Sequence, residues 1–353
     1  MQIRVPDYFD RFQCLADRCP DTCCGQWEIV IDTKTAARYQ TLEGPLGDRI
    51  RRYLVCEDGE YSLTLEQGRC PMLCENGLCD IISQMGEEAL SVTCDSHPRF
   101  TEIYGNLAET TLSVSCPAAA ELLLNRQEPL SFRTGTDDTP IEPNDLDPAQ
   151  FSLLLYSRET AFALVQDRSR PLSDRLALLL CFAHRLQSVM DTQRWQLGHS
   201  ISRLYRDPLY QDRQLCRVRR LRRYGTMTDV RQLLRSMEHL TENFPKVLPE
   251  LEKTDPDTNS LPLEQLTGYL LFRWWLKAAC DDCLWRQAAA VTVSVLTVAS
   301  MAKTMGSCTE ASRLFSKEVE HAEDNLALLR AAMELPMFDL PHLLAILEVP
   351  HAI

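Results

Sequence analysis

The chain has 353 residues, 45% of them apolar and 25% charged, enough apolar side chain for one large core or two smaller ones. Its net charge of -13 argues against a dedicated nucleic-acid binder, which needs a basic footprint. No charge-free apolar run of about 18 residues is present, and the first residues lack an apolar signal core, so no spanning helix, no secretory signal and a cytoplasmic location are expected.

Residues 1–125 differ from the rest. They hold most of the glycine and ten of the 15 cysteines. Gln26–Asp32 and Tyr61–Glu66 read as strands. Thr33–Leu42, capped by Asp32, and Ile81–Leu90 read as short helices. Residues 126–148 carry four prolines and no sustained periodicity, which reads as a linker. Residues 149–353 read as helix after helix: Phe151–Gln166, Leu172–Met190 with Ser173 as a candidate cap, Met227–Asn243, Leu263–Ala302 with a break, and Glu310–Met333. No strand is expected there. The expected fold class is α+β: a small cysteine-rich metal-binding N-terminal domain (1–125) with short strands and helices, a linker (126–148) and an all-α domain (149–353).

The cysteines fall into a first cluster, Cys14, Cys19, Cys23 and Cys24, and a second, Cys70, Cys74, Cys79 and Cys94, with Cys116 after it. Thiolates suit zinc or iron–sulfur clusters, and an odd cysteine count fits a disulfide framework poorly. The spacing alone leaves the metal open. Adjacent Cys23 and Cys24 point opposite ways on extended chain, so a turn or two separate roles are needed.

Cys14, Cys19, Cys23-Cys24-Gly25-x-Trp27, Gly68-x-Cys70-Pro71-x-Leu73 and Gly77-Leu78-Cys79-x-Ile81 resemble the zinc- or iron-chelating family named for its cysteine-rich motif. The continuation, Gly86-Glu87-Glu88-Ala89-Leu90, Cys94-x-x-x-Pro98-Arg99 and Leu112-Ser113-x-Ser115-Cys116-Pro117, is similar to the flagellin lysine-N-methylase branch. A weaker likeness continues at Phe315–His321. The resemblance implies Cys14, Cys19, Cys23, Cys24, Cys70, Cys79, Cys94 and Cys116 as metal ligands. It also implies a [4Fe–4S] cluster, with zinc as the alternative, and methyl transfer from S-adenosylmethionine to lysines of a protein such as flagellin. Two positions depart from the pattern: His97 stands in place of Phe, and Ala118 in place of Glu. His97 is a candidate nitrogen ligand or a loop histidine. Cys74 reads as a bystander.

No strand, Gly-x-Gly turn and helix offers a usual nucleotide-binding fingerprint. The donor would be anchored either by an iron with an open site or between the domains. Tyr8, Tyr39, Tyr53, Tyr61 and Tyr104 are candidates for orienting the amine, with core or surface roles the simpler reading. The arginine run from Arg217 to Arg223 reads as a solvated face, Cys280 and Cys283 as helix packing, and Glu318 with His321 as packing or surface pairing. Two rival functions remain at this level: an iron–sulfur electron carrier, and a zinc-stapled adaptor without enzymatic activity.

Overall fold

The computed structural model describes residues 1–25, 29–141, 143–221, 224–252 and 258–347. Its strands are β1 (Gln2–Pro6), β2 (Ile29–Ile31), β3 (Leu54–Glu57), β4 (Glu60–Leu63), β5 (Arg99–Tyr104), β6 (Leu107–Leu112) and β7 (Phe132–Thr136). By its internal contacts the chain divides into two compact units. One comprises Phe9–Phe100 and Leu112–Ala120 and is called here the cysteine unit. The other, the helical unit, comprises Met1–Tyr8, Thr101–Thr111 and Glu121–Ile353.

In the cysteine unit, β2, β4 and β3 form an antiparallel sheet in that order. Its helices are α1 (Thr33–Thr41), α2 (Gly44–Tyr53), α3 (Asp80–Met85) and α4 (Val92–Ser96). The Asp32 carboxylate accepts the Thr35 N–H at 2.9 Å, filling a free donor of the first turn of α1. Ser91 does the same for α4 by accepting the Cys94 N–H at 3.3 Å. Burial then follows the strand and helix periods: Ile29 and Ile31 from β2, Leu63 from β4, Ala36 and Tyr39 from α1 and Ile50 from α2 meet in one apolar cluster.

The helical unit contains a four-stranded sheet ordered β5, β6, β1, β7. β1 runs parallel to β6 and antiparallel to β7, with Ile3 opposite Ala108 on one side and Gly135 on the other. After α5 (Pro117–Leu124) come α6 (Pro148–Val165), α7 (Leu172–Met190), α8 (Trp195–Leu204), α9 (Pro208–Arg220), α10 (Met227–Arg235) and α11 (Phe244–Val247). The series ends with α12 (Leu261–Trp274), α13 (Ala278–Asp281), α14 (Leu284–Met305), α15 (Cys308–Phe315), α16 (Glu323–Ala332) and α17 (Leu340–Ile346). α14 is long and apolar enough to cross a membrane by length and composition, but 78% of its most apolar window is buried inside the protein. That is the packing of a core helix.

The α+β character is present, and the chain is mostly helical. Several local expectations change. The strand expected over Gln26–Asp32 is formed over Ile29–Ile31, while Gln26, Trp27 and Glu28 lie outside the described residues. The stretch 126–148 is not only a connection, because Phe132–Thr136 pairs with β1 along its whole length. Pro171, not Ser173, stands at the N-cap of α7. The helix expected over Met227–Asn243 ends at Arg235. The long run after Leu263 breaks at Asp282, whose φ of +56° ends α13. Cys280 and Cys283 therefore flank a left-handed turn and share no helix face. Glu310–Met333 is interrupted by a π-helical turn at Ser316–Glu320.

Candidate functional site

All eight of the singled-out cysteines belong to the cysteine unit, including Cys116, which returns to it in the short segment Leu112–Ala120. All fifteen cysteines of the chain are free thiols. Cys14 and Cys23 are exposed, Cys19, Cys24, Cys79, Cys94 and Cys116 are half-buried, and Cys70 is buried.

Short loops bring these sulfurs in, and the loop backbones turn N–H groups toward several of them. The Ala16 N–H donates to the Cys14 sulfur at 3.4 Å. The Cys70 sulfur accepts from the Met72 N–H, and Cys79 accepts from Ile81 and Ile82 in the first turn of α3. Cys116 accepts from Ala118 and Ala119 at the start of α5. The main chain of Ala118 thus performs this role, which needs no side chain. Such N–H groups favour the thiolate over the thiol.

The thiols act on one another electrostatically, most strongly across the Cys23–Cys24 pair. Cys14 and Cys116 act on Cys23, and Cys19 and Cys14 act on Cys116. Cys24, Cys94 and Cys79 act on Cys70, and Cys24 and Cys79 act on Cys94. Cys70 lies in the apolar cluster and Cys24, Cys79 and Cys94 pack against it, whereas Cys14, Cys19, Cys23 and Cys116 do not. The hydrogen bond between the Cys23 and Cys24 side chains pulls the Cys24 thiol down and pushes Cys23 up. Burial pushes Cys70 up to about 12 and raises Cys79, Cys94 and Cys116 as well.

The Gly25 that follows this pair is fixed by backbone contact. It bridges to Arg69, and a Cβ at Gly25 would stand 2.8 Å from the Gly68 carbonyl oxygen. The Cys70 N–H donates to the Cys24 carbonyl at 2.7 Å, so this contact ties the Cys23–Cys24 turn to the second cysteine segment. Gly77, at a φ of +80°, closes the turn that separates Cys74 from Cys79.

Beside these loops lies a cavity of about 400 Å³, lined by Asp17, Cys19, Asp21, Gly68, Arg69 and Gly77 among others. Sequence reading did not anticipate Asp17, Asp21 or Arg69; only their closeness to the cysteines in the chain pointed there. A larger groove of about 590 Å³ in the helical unit, lined by Arg194, Trp195 and His199, holds no cysteine.

The donor chemistry of this unit fits a soft metal: eight thiols, four of them receiving backbone N–H groups. Its present placement does not form a finished site for one ion. Among the described residues no three His, Cys, Asp or Glu side chains are placed to hold a single metal ion. The expectation of a metal-binding N-terminal domain is corrected to that extent, to a thiol-rich unit without an assembled single-ion site. A single tetrahedral ion needs four sulfurs crowded around one point, whereas a cluster seats each thiolate on its own iron and spreads them farther apart.

Other candidates take structural roles. Tyr39 donates to the Ala89 carbonyl at 2.7 Å and Tyr53 to Glu66 at 2.9 Å. Tyr61 pairs within the sheet in β4, and Tyr8 and Tyr104 are buried in the helical unit. His97 is the C-cap residue of α4, donating its N–H to Thr93. Glu318 accepts the N–H groups of Leu240 and Thr241, each at 2.8 Å, which is a packing role. Arg217, Arg219 and Arg220 close α9, where positive charge suits the helix end, and Arg219 pairs with Asp174 at 3.0 Å. Arg222 and Arg223 lie outside the described residues, as does His351.

Comparison with named proteins bears on part of the chain. Over 143 residues the chain is 34% identical to a lysine-N-methylase of Salmonella typhimurium, a match covering 38% of this chain and 35% of that protein. Over 139 residues it is 32% identical to the flagellar biosynthetic protein FliU of Salmonella muenchen, covering 37% of this chain and 81% of that protein. The chain belongs to the lysine-N-methylase family. A lysine-N-methylase of Salmonella choleraesuis is 32% identical over 141 residues, 38% of this chain and 35% of that protein. The match thus spans about a third of the length of the named methylases. No protein-family profile matches this family member. No solved structure matches it either.

Proposed function

We propose that this protein is a lysine N-methyltransferase that acts on flagellin, takes its methyl group from S-adenosylmethionine and carries an iron–sulfur cluster on the thiols of the cysteine unit. The observation that carries this reading is the identity with the lysine-N-methylases. The flagellar name of the FliU relative supports flagellin as the substrate. Free thiols throughout the chain suit a reducing compartment, the cytoplasm.

The ligands of the cluster would be drawn from Cys14, Cys19, Cys23, Cys24, Cys70, Cys79, Cys94 and Cys116. Bound, it would supply a fixed charged anchor that orders the loops around the cavity.

The reaction asks for a neutral amine in line with the sulfonium methyl. The lysine nitrogen attacks the methyl carbon, a C–N bond forms and the C–S bond breaks. The bonding pair stays on sulfur, which becomes a thioether, and the nitrogen has shed one proton. A free lysine ammonium has a pKa of about 10.4, so the site must draw it in and then favour its neutral form. Asp17 and Asp21 at the cavity wall would attract the ammonium and pass its proton on to solvent; their charge favours the ammonium, while displacement of water and the Arg69 guanidinium on the same wall favour the neutral amine. Arg69, on the same wall, would face the carboxylate of the donor. Alignment of nitrogen and methyl then supplies much of the rate.

The test is direct. Protein purified without oxygen, its iron and sulfide measured, is incubated with flagellin and S-adenosylmethionine, and flagellin peptides are read by mass spectrometry. Methyl additions on lysine that require both protein and donor are expected. A fully loaded protein that leaves flagellin unmodified would contradict the reading.

A further inference from the structure

The groove of about 590 Å³ in the helical unit lies where the turn after α7 enters α8, and neither the cysteines nor the proposed reaction uses it. We propose that it is a docking site for a protein partner, which lays an acidic segment carrying an aromatic or apolar side chain against Trp195 and the arginines around it.

The walls come from two helices and one turn. Ala149 and Ser152 of α6 form one side, and Gln193 to Leu197 with His199 form the other. Gln193 holds a φ of +52°, uncommon for a residue with a side chain, and Arg194 donates its N–H to the Val189 carbonyl at 3.0 Å. Along α8, Trp195, His199 and Arg203 recur at every fourth position and share one face. The His199 ring lies 5.1 Å from that of Tyr156, and the Arg206 guanidinium stands over the Tyr156 ring at 5.0 Å. Half-buried aromatic surface thus sits beside guanidinium groups. Trp, Tyr and Arg are the side chains in which protein interfaces concentrate their binding energy. Leu197, 41% exposed, adds apolar surface to the same wall.

Charge selects the partner. From Leu172 to Arg235 the chain has thirteen arginines, no lysine and five acidic residues, a surplus of eight positive charges in a protein of net charge -13. The five acids are already engaged. Asp207 caps α9 and Asp229 completes the capping box of α10. Asp174 pairs with Arg219, Asp212 with Arg170, and Asp191 accepts from Gln187. No acidic residue lines the groove, and Arg194 on its wall is exposed with no ion-pair partner among the described residues. α8 also starts without a side-chain cap, so the positive end of its dipole adds to the pull on a carboxylate. The guanidinium fork matches a carboxylate, and the aromatic wall accepts the apolar neighbour. A nucleic-acid strand fits less well, because the net negative charge of the protein repels a polyphosphate. The choice of partner rests on the groove and its charge, not on the methyl transfer proposed above.

The experiment is fluorescence anisotropy on the full chain with a labelled peptide of glutamates around one tyrosine. The same peptide with glutamine for every glutamate, and an oligonucleotide of equal charge, are compared with it. Wild type is expected to bind the glutamate peptide, to bind the glutamine peptide about tenfold more weakly, and to lose affinity for the former as salt rises. Arg194→Gln with Arg203→Gln, and separately Trp195→Ala, are each expected to weaken binding about tenfold. Arg11→Gln with Arg52→Gln, at exposed positions of the cysteine unit, removes as much positive charge and should leave binding unchanged. Arg194 and Arg203 are exposed, so their variant is expected to keep the wild-type melting temperature, and it decides alone if Trp195→Ala fails to fold. Wild-type affinity in the arginine variant, equal binding of the two peptides, tighter binding of the oligonucleotide, or no binding of the glutamate peptide overturns the proposal. Self-association of the wild type that the arginine variant loses, without peptide binding, would assign the groove to a second copy and overturn it too. Absence of methyl transfer with binding intact would bear on the proposed function and leave the docking site standing.

Discussion

Asp32 shows how much one side chain fixes and how little of that is legible. Its place before Thr33 marks a helix cap in the sequence, and the Thr35 N–H confirms it. Its second oxygen accepts the Val92 N–H at 3.0 Å, sixty residues on, which nothing local announces. The Val92 and Thr35 N–H groups hold its carboxyl at about 2, below the ordinary 3.8. A carboxyl depressed on folding stabilises fully above its unfolded pKa, and the effect fades as pH falls from about 4 toward about 2. Asp32→Ala is expected to lower the unfolding free energy at neutral pH by about 1 kcal/mol. In urea unfolding, wild type should lose its advantage over this variant between pH 4 and pH 2; an advantage that stays constant over that range would contradict the assignment. The cysteines behave alike at this scale. Their residue types pointed to soft-metal chemistry, but the partners of each sulfur come from backbone turns that spacing does not reveal.

The long helices α6 and α7 were legible because their apolar residues run on for several turns with no Gly or Pro in the interior to break them. The strands were less so. β1 takes its partners from residues more than a hundred positions away, and its neighbour β7 lies in a proline-rich stretch that reads as a linker. A five-residue strand carries too few residues for its period to stand out, so pairing decides it. Within the helical unit that sheet is fastened by a buried ion pair. Arg158 of α6 is wholly buried and donates to Glu109 of β6 at 2.6 Å, with a further bond to the Phe272 carbonyl. Arg158→Met would leave the Glu109 carboxylate buried and uncompensated, at a cost of about 3–5 kcal/mol. Adding Glu109→Leu should recover most of that loss, measured as unfolding free energy in denaturant. A single variant as stable as wild type would show that the pair does not hold the sheet.

At the scale of the whole molecule, composition split the chain near residue 125, while its contacts group Leu112–Ala120 with Phe9–Phe100 and place Thr101–Thr111 with the helices. The sequence shows cysteines crowded into one third of the chain. It does not show that Cys116 returns to the same unit as Cys14, because that depends on how the segment between them leaves and re-enters. On the function proposed above, this protein methylates lysine side chains of flagellin and needs its cysteine unit to do so. The most direct measurement is the intact mass of flagellin from cells that express it with the wild-type protein, with the Cys14→Ser, Cys116→Ser variant, or alone. The account predicts mass additions of about 14 Da per methyl group, located on lysines, with wild type only. Unmodified flagellin in wild-type cells, or equal methylation with the variant, would contradict it.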